Sequence, residues 1–231
     1  MRKDKWGAVA AVLAIGVLAG CSSTADKGGD AAKGASPSAS APANAAKADE
    51  KTKADEKAKA DKADAWKKGT RIGAAGTACE LPVSFDVAKA WKPKGLSADD
   101  GELLGKLMGR TSVRGACEID AKPAGNIGFI RVWVADGAEK SPRQVLEAFT
   151  AEERGVDKKE ISDIKVGGLS AAEVAYTVKS PIRDEPQQER AFAVVTPKGA
   201  TVVHLGGFDN TEHKEMLPAY ELAKKSLTPV S

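Results

Sequence analysis

Hydrophobic residues are spaced in three different ways along this chain. From Gly7 to Leu18 they form one apolar run. From Ser22 to Gly69 there is no Val, Ile, Leu, Met, Phe or Tyr at all. From Thr70 they return in the two periodicities of folded structure. In this last part, three segments carry helical spacing. Ser97-Ala98-Asp99-Asp100 is a capping pattern ahead of Leu103, Leu104, Leu107 and Met108, with Gly109 as a stop. Ser141-Pro142 opens a second helix with Val145, Leu146 and Phe149 on one face, and Gly155 closes it. A third starts near Asn210-Thr211 and presents Met216, Leu217, Tyr220, Ala223 and Leu227. Pro218 inside it costs a hydrogen bond unless it lies in the first turn or marks a kink.

Strand patterns fill the intervals. Val83–Val87 leads through a turn into Trp91. Val113–Ala121 and Asn126–Ala135 flank Pro123-Ala124-Gly125, Ile161–Val166 and Ala171–Lys179 flank Gly167-Gly168, and Glu189–Thr196 and Thr201–Gly206 flank Pro197-Lys198-Gly199. Parallel neighbours need long crossovers, so these short turns predict antiparallel hairpins. The expected fold class is α+β: an antiparallel β-sheet flanked by helices, occupying residues 70–231.

The remaining residues are organised differently. Residues 1–20 carry a basic start (Arg2, Lys3, Lys5) and an apolar run too short to span a bilayer, which fits a secretory signal peptide. Leu18-Ala19-Gly20-Cys21 resembles the lipobox of bacterial lipoproteins, which implies cleavage before Cys21 and lipidation of its thiol. Residues 21–69 read as a disordered linker, because Trp66 is the one large apolar residue available to offset the ordering entropy. The stretch from Lys47 to Ala65 is a rough six-residue Lys-Ala-Asp repeat whose four-spaced charge pairs support a transient helix. As a flexible coil the linker spans about 40 Å, enough to lift a domain off a membrane.

Net charge adds little. The formal +3 splits into +2 on residues 1–20, +2 on the linker and −1 on the domain, so nothing points to nucleic acid.

Leu81-Pro82-Val83-Ser84-Phe85-Asp86-Val87, followed by Trp91, resembles the opening of PsbP-like domains. The order of hairpins and helices down to Lys225-Ser226-Leu227-Thr228 is similar as well. With the lipobox, the chain looks like the LpqN-type lipoproteins of actinobacteria. The resemblance covers roughly residues 78–228, at boundaries good to about 2–4 residues. It departs from the family at Ala88-Lys89-Ala90, where a proline is usual. It implies an α/β/α sandwich, an accessory or binding role, and no shared catalytic set.

Candidate chemistry is sparse. With Cys21 lipidated, Cys79 and Cys117 remain, and in an oxidising compartment an even pair predicts a disulfide, the alternative being two buried thiols. No metal site and no cofactor is expected: there is no C-x-x-C spacing, there are two histidines, and no phosphate-binding, dinucleotide or nucleophile-elbow pattern occurs. Alternation places His204 opposite Val203 and Leu205 in its strand, as a satisfied strand histidine, and His213 is expected to be exposed in the last helix. Trp91, Phe129, Trp133 and Tyr176 are the large aromatics available to a pocket. Phe129 and one face of Trp133 are expected to fill core.

Trp91, beside lysines 89, 92 and 94, is a candidate for a binding rim, with anchoring of its turn as the competing reading. The nine residues 180–188 exceed a usual hairpin loop. Ile182, Arg183, Asp184 and Glu185 within them are the candidate contact residues. The expected function is a lipid-anchored binding or accessory module on the outer face of the cell membrane, with an envelope protein or small ligand as partner. The alternative is an envelope-polymer-modifying enzyme whose catalytic set is hidden in the sequence.

Overall fold

The computed structural model describes residue 64 and residues 66–179 and 183–230. The chain runs β1 (Lys68–Ile72), β2 (Val83–Ala88), β3 (Lys92–Gly95), α1 (Ala98–Leu107), β4 (Arg114–Asp120), a short 3-10 turn, β5 (Gly128–Ala135) and α2 (Pro142–Ala151). It continues through β6 (Val156–Val166), β7 (Leu169–Val178), β8 (Gln187–Thr196), β9 (Gly199–Gly207), α3 (Asn210–Ser226) and β10 (Thr228–Pro229). A seven-stranded sheet has the order β3-β4-β5-β9-β8-β7-β6 with every neighbouring pair antiparallel, and a smaller sheet has the order β1-β2-β10. The α+β reading holds.

Strand alternation sorts the core into two layers. Val132, Phe192, Val194, Val203 and Leu205 face α3 and β2, against Phe85, Met216 and Tyr220. Trp133, Ala172, Ala191, Ala193 and Val202 face α2, against Val145, Leu146 and Phe149. The alanines on that second face leave room for α2 to lie close. A capping box holds the start of α2: the Ser141 hydroxyl accepts from Gln144 N–H, and the Gln144 side chain accepts from Ser141 N–H.

Three features depart from the sequence reading or fill a point it left open. First, α1 leaves two of its three leucines in solvent. Leu103 and Leu107 are 65% and 80% exposed, while Gly101 and Gly105 are buried against β4. A Cβ on Gly101 would lie 2.0 Å from the Gly115 carbonyl oxygen, so the backbones approach as only glycine allows. Second, order begins before Thr70. β1 starts at Lys68, and the Trp66 ring packs 6.0 Å from Trp91, so the last residues that composition assigned to the linker join the fold. Arg71 of β1 explains the attachment: it pairs with buried Asp86 and donates to the Ser84 and Ser226 carbonyls and to Thr228 Oγ1. Third, Pro218 lies well inside α3, on its exposed side, where the carbonyl its missing N–H leaves free can turn to water.

Candidate functional site

Three connections meet at one end of the large sheet. The β7–β8 loop lies beside the start of α3: Gln188 N–H donates to Asn210 Oδ1 (2.8 Å), and Asn210 Nδ2 donates to the Pro186 carbonyl (3.1 Å). The β9–α3 turn joins the segment before β5 where Phe208 N–H donates to the Ile127 carbonyl (2.8 Å). Asn126 and Ile127 are in turn held by Glu212, which accepts from Asn126 Nδ2 and from Ile127 N–H. The result is an exposed apolar pair, Ile127 at 59% and Phe208 at 52%. The Arg183 guanidinium lies 4.4 Å above the Phe208 ring and donates to the Phe208 carbonyl. Asp184 and Glu185 are exposed beside it. Of the residues expected to form a contact surface, Arg183, Asp184 and Glu185 stand here, and Ile182 lies outside the described residues.

Trp91 does not belong to this surface. It is 4% exposed and packs into the core next to Trp66, so the anchoring role is the one realised. Phe129 is half-buried and covered by the Arg131 guanidinium at 4.7 Å, rather than enclosed in the core. Cys79 and Cys117 form a disulfide that ties the segment before β2 to β4. Cys21 lies outside the described residues.

Beneath the same end, on the α2 side of the sheet, is a buried polar cluster. His204 Nε2 lies 2.8 Å from Glu189 Oε2, without hydrogen-bond alignment, and 3.2 Å from the Tyr176 hydroxyl. The Phe149 ring meets the imidazole edge-on at 5.5 Å. Arg110, with a fully buried guanidinium, lies over the Phe149 ring at 3.6 Å from its centroid, donates to the Phe149 carbonyl (2.6 Å) and pairs with Glu153. Burial, reinforced by Glu189, pushes the Tyr176 hydroxyl well above its ordinary value, so it is a poor nucleophile at neutral pH. His204 Nδ1 and Arg110 Nε are buried and have no hydrogen-bond partner among the described residues. The cluster is a His–acid pair with a hydroxyl in reach, closed over by aromatic rings.

Sequence reading placed His204 on the correct face but missed its partners. The available signal was the single polar residue in the inward series Glu189, Ala191, Ala193, together with the cross-strand pairing of Tyr176 with Glu189. His213 is a correction. It is 4% exposed, because it continues the stripe of Met216 and Tyr220 one turn earlier and the chain at Gly207 packs against its backbone. Burial lowers its imidazole to about 4. Among the described residues no group of three or more His, Cys, Asp or Glu could hold a metal ion, and no helix is long and apolar enough to cross a membrane.

Among curated proteins, none matches this chain. Among solved structures it is similar to the cyanobacterial PsbP protein CyanoP from Synechocystis sp. PCC 6803, at 10% identity and a TM-score of 0.45, over 69% of this chain and 97% of that one. It is also similar to PA94, a protein of unknown function from Pseudomonas aeruginosa, at 12% identity and a TM-score of 0.40, over 71% of this chain and 99% of that one. The family model described as "Uncharacterised lipoprotein" matches residues 47–227, a span that takes in every element from β1 to α3, and the chain belongs to that lipoprotein family.

Proposed function

We propose that this lipoprotein is a tethered binding module. A lipid on Cys21 holds it to the extracytoplasmic face of the cell membrane, residues 22–63 act as the spacer, and the domain presents its Ile127–Phe208–Arg183 end to an envelope protein or a small ligand. Two acyl chains hold a protein to a bilayer stably where one does so only marginally, which suits a module that must stay at the surface. The observation that carries the reading is the convergence of three connections on two large exposed apolar side chains, with a guanidinium over one ring and two carboxylates alongside. Aromatic and arginine side chains are the usual anchors of protein recognition. The finer likeness to LpqN-type lipoproteins, on Leu81–Val87 and Trp91, points the same way.

The second reading, an envelope-polymer-modifying enzyme, draws on the His204–Glu189 pair with Tyr176 in reach. Against it stand the 4% exposure of His204 and the raised Tyr176 hydroxyl. A photocrosslinking amino acid at position 208 of the anchored chain, irradiated in intact cells, is expected to give discrete adducts that Arg183→Glu removes. The same group at Leu103 is expected to give none, and Cys21→Ala is expected to leave the chain unacylated. Adducts from position 208 no stronger than from 103 would end the binding reading. Loss of function in His204→Gln with adducts intact would transfer support to the enzyme.

A further inference from the structure

Beside the opposite end of β5, at the start of β4, stands an arginine with no partner among the described residues. Arg114 opens β4 opposite Val134, its side chain is half-buried, and no hydrogen bond or ion pair reaches it among the described residues. It stands alone in this. Every other buried or half-buried lysine or arginine among the described residues is matched: Arg110, Arg131, Arg143, Arg190 and Lys224 each hold a carboxylate, and Arg183 holds a carbonyl. A guanidinium presents a rigid fork of donors suited to one carboxylate, and partial burial strengthens that preference by excluding competing water.

Arg114 lines a cleft of about 450 Å³ between α1 and the β4–β5 edge, within the size range of small-molecule sites. A second hollow of about 240 Å³ shares Arg114, Val134, Ala135 and Asp136 with it. A third, of about 100 Å³, is lined by Val113, Val145, Ala148 and Ala200 together with Glu139 and Lys140, and opens on the same Ala135 and Asp136. Asp136 is exposed and likewise has no partner among the described residues. The groove therefore offers, among the described residues, an unpaired cation, apolar wall from Val113, Val134 and Ala135, a small recess of mixed lining, and an unpaired anion. Lys106 lines the cation end, held only loosely by Glu102 at 3.9 Å.

We propose that this groove binds a small zwitterion, an amino acid or short peptide, with its carboxylate on Arg114 and its ammonium on Asp136. A phosphate fits less well, because Asp136 would oppose its second negative charge. The site is separate from the Phe208 end and stands or falls independently of the function proposed there.

Calorimetric titration of the mature chain with alanyl-alanine, its N-acetyl form and its carboxyl amide tests the assignment. The free dipeptide is expected to bind, and amidation or Arg114→Gln to weaken it by about tenfold or more. Arg114→Lys should recover part of the loss. Asp136→Asn, at an exposed position that does not endanger folding, is expected to weaken the free dipeptide and leave the N-acetyl form unchanged. Alanine binding as tightly as the dipeptide would assign the site to free amino acids, and tighter dipeptide binding would assign it to peptides. No heat with any probe, equal affinities for wild type and a folded Arg114→Gln, or displacement by orthophosphate as effective as by the dipeptide would each overturn the proposal.

Discussion

His213 shows how much one residue's surroundings can change its chemistry. Its imidazole is buried in the first turn of α3, with Nδ1 lacking a partner among the described residues, Glu189 favouring its charge, and Arg190, His204 and Lys214 opposing it. Burial dominates and sets the folded value at about 4, against 6.5 for a free histidine. The unfolded chain therefore takes up this proton first. The sign follows: stability is unaffected well above pH 6.5, falls as pH drops from about 6.5 towards 4, and levels off below that as both states become protonated. The slope is that of one proton, at most about 1.4 kcal/mol per pH unit. Urea midpoints measured across that window should decline in wild type and lose this component in His213→Gln. Parallel curves for the two proteins would remove His213 as the cause. The position was legible in sequence to the extent that it stands three residues before Met216 on the apolar stripe. Its burial was not, because that depends on the turn through Gly207.

Among the elements, α1 is the one whose packing runs against its own sequence pattern. Four apolar residues suggest an ordinary leucine-lined face, yet the face that meets β4 is made of Gly101 and Gly105, with Leu104 and Met108 half-buried at its margin. Gly101→Ala pits two effects against each other. Alanine favours helix over glycine by about 1 kcal/mol. Its Cβ, 2.0 Å from a backbone carbonyl that cannot rotate away, forces α1 off β4, and overpacking of this kind costs about 1–3 kcal/mol. The clash prevails, and a net loss of up to about 2 kcal/mol is expected in chemical denaturation. Gly105→Ala is the control. Its nearest neighbours would stand 3.3 and 3.4 Å away, so it should be close to neutral. Equal effects at the two positions would mean that propensity, not close approach, governs the helix.

On the scale of the whole molecule, the Cys79–Cys117 disulfide closes a loop of 38 residues that contains β2, β3 and α1. The loop holds the four-residue β3 and the glycine-packed helix, which gain from a constraint on the unfolded chain. In the chain-entropy model such a loop contributes about 4 kcal/mol. Reduction should therefore lower the thermal midpoint markedly. An unchanged midpoint after complete reduction, or free thiols in the non-reduced protein, would show that the bond is dispensable or absent. The chain termini of the domain are joined in a second way, through Arg71, which reaches from β1 to Ser226 and Thr228. This long-range clamp brings β1 and β10 onto β2, and neither short strand had a hydrophobic pattern by which to be recognised.

The sequence by itself determined what short-range physics controls. The period of apolar positions marked the helices and long strands. The tight turns at Gly125, Gly167-Gly168 and Gly199 required antiparallel neighbours, and the absence of large apolar residues from Ser22 to Ala65 set the linker apart in composition. The even pair of cysteines anticipated the bond between them. Tertiary structure decided everything that depends on partners distant in the chain. Tyr176 and His204 are 28 residues apart and meet only because sheet register brings them together. The same register leaves Arg114 facing a groove without a hydrogen-bond partner among the described residues, takes Trp91 out of the candidate surface, and places Phe208 beside Ile127 and Arg183. Backbone periodicity is set by bonds between near neighbours, whereas burial and pairing are set by which strands lie side by side, and no local pattern encodes that choice.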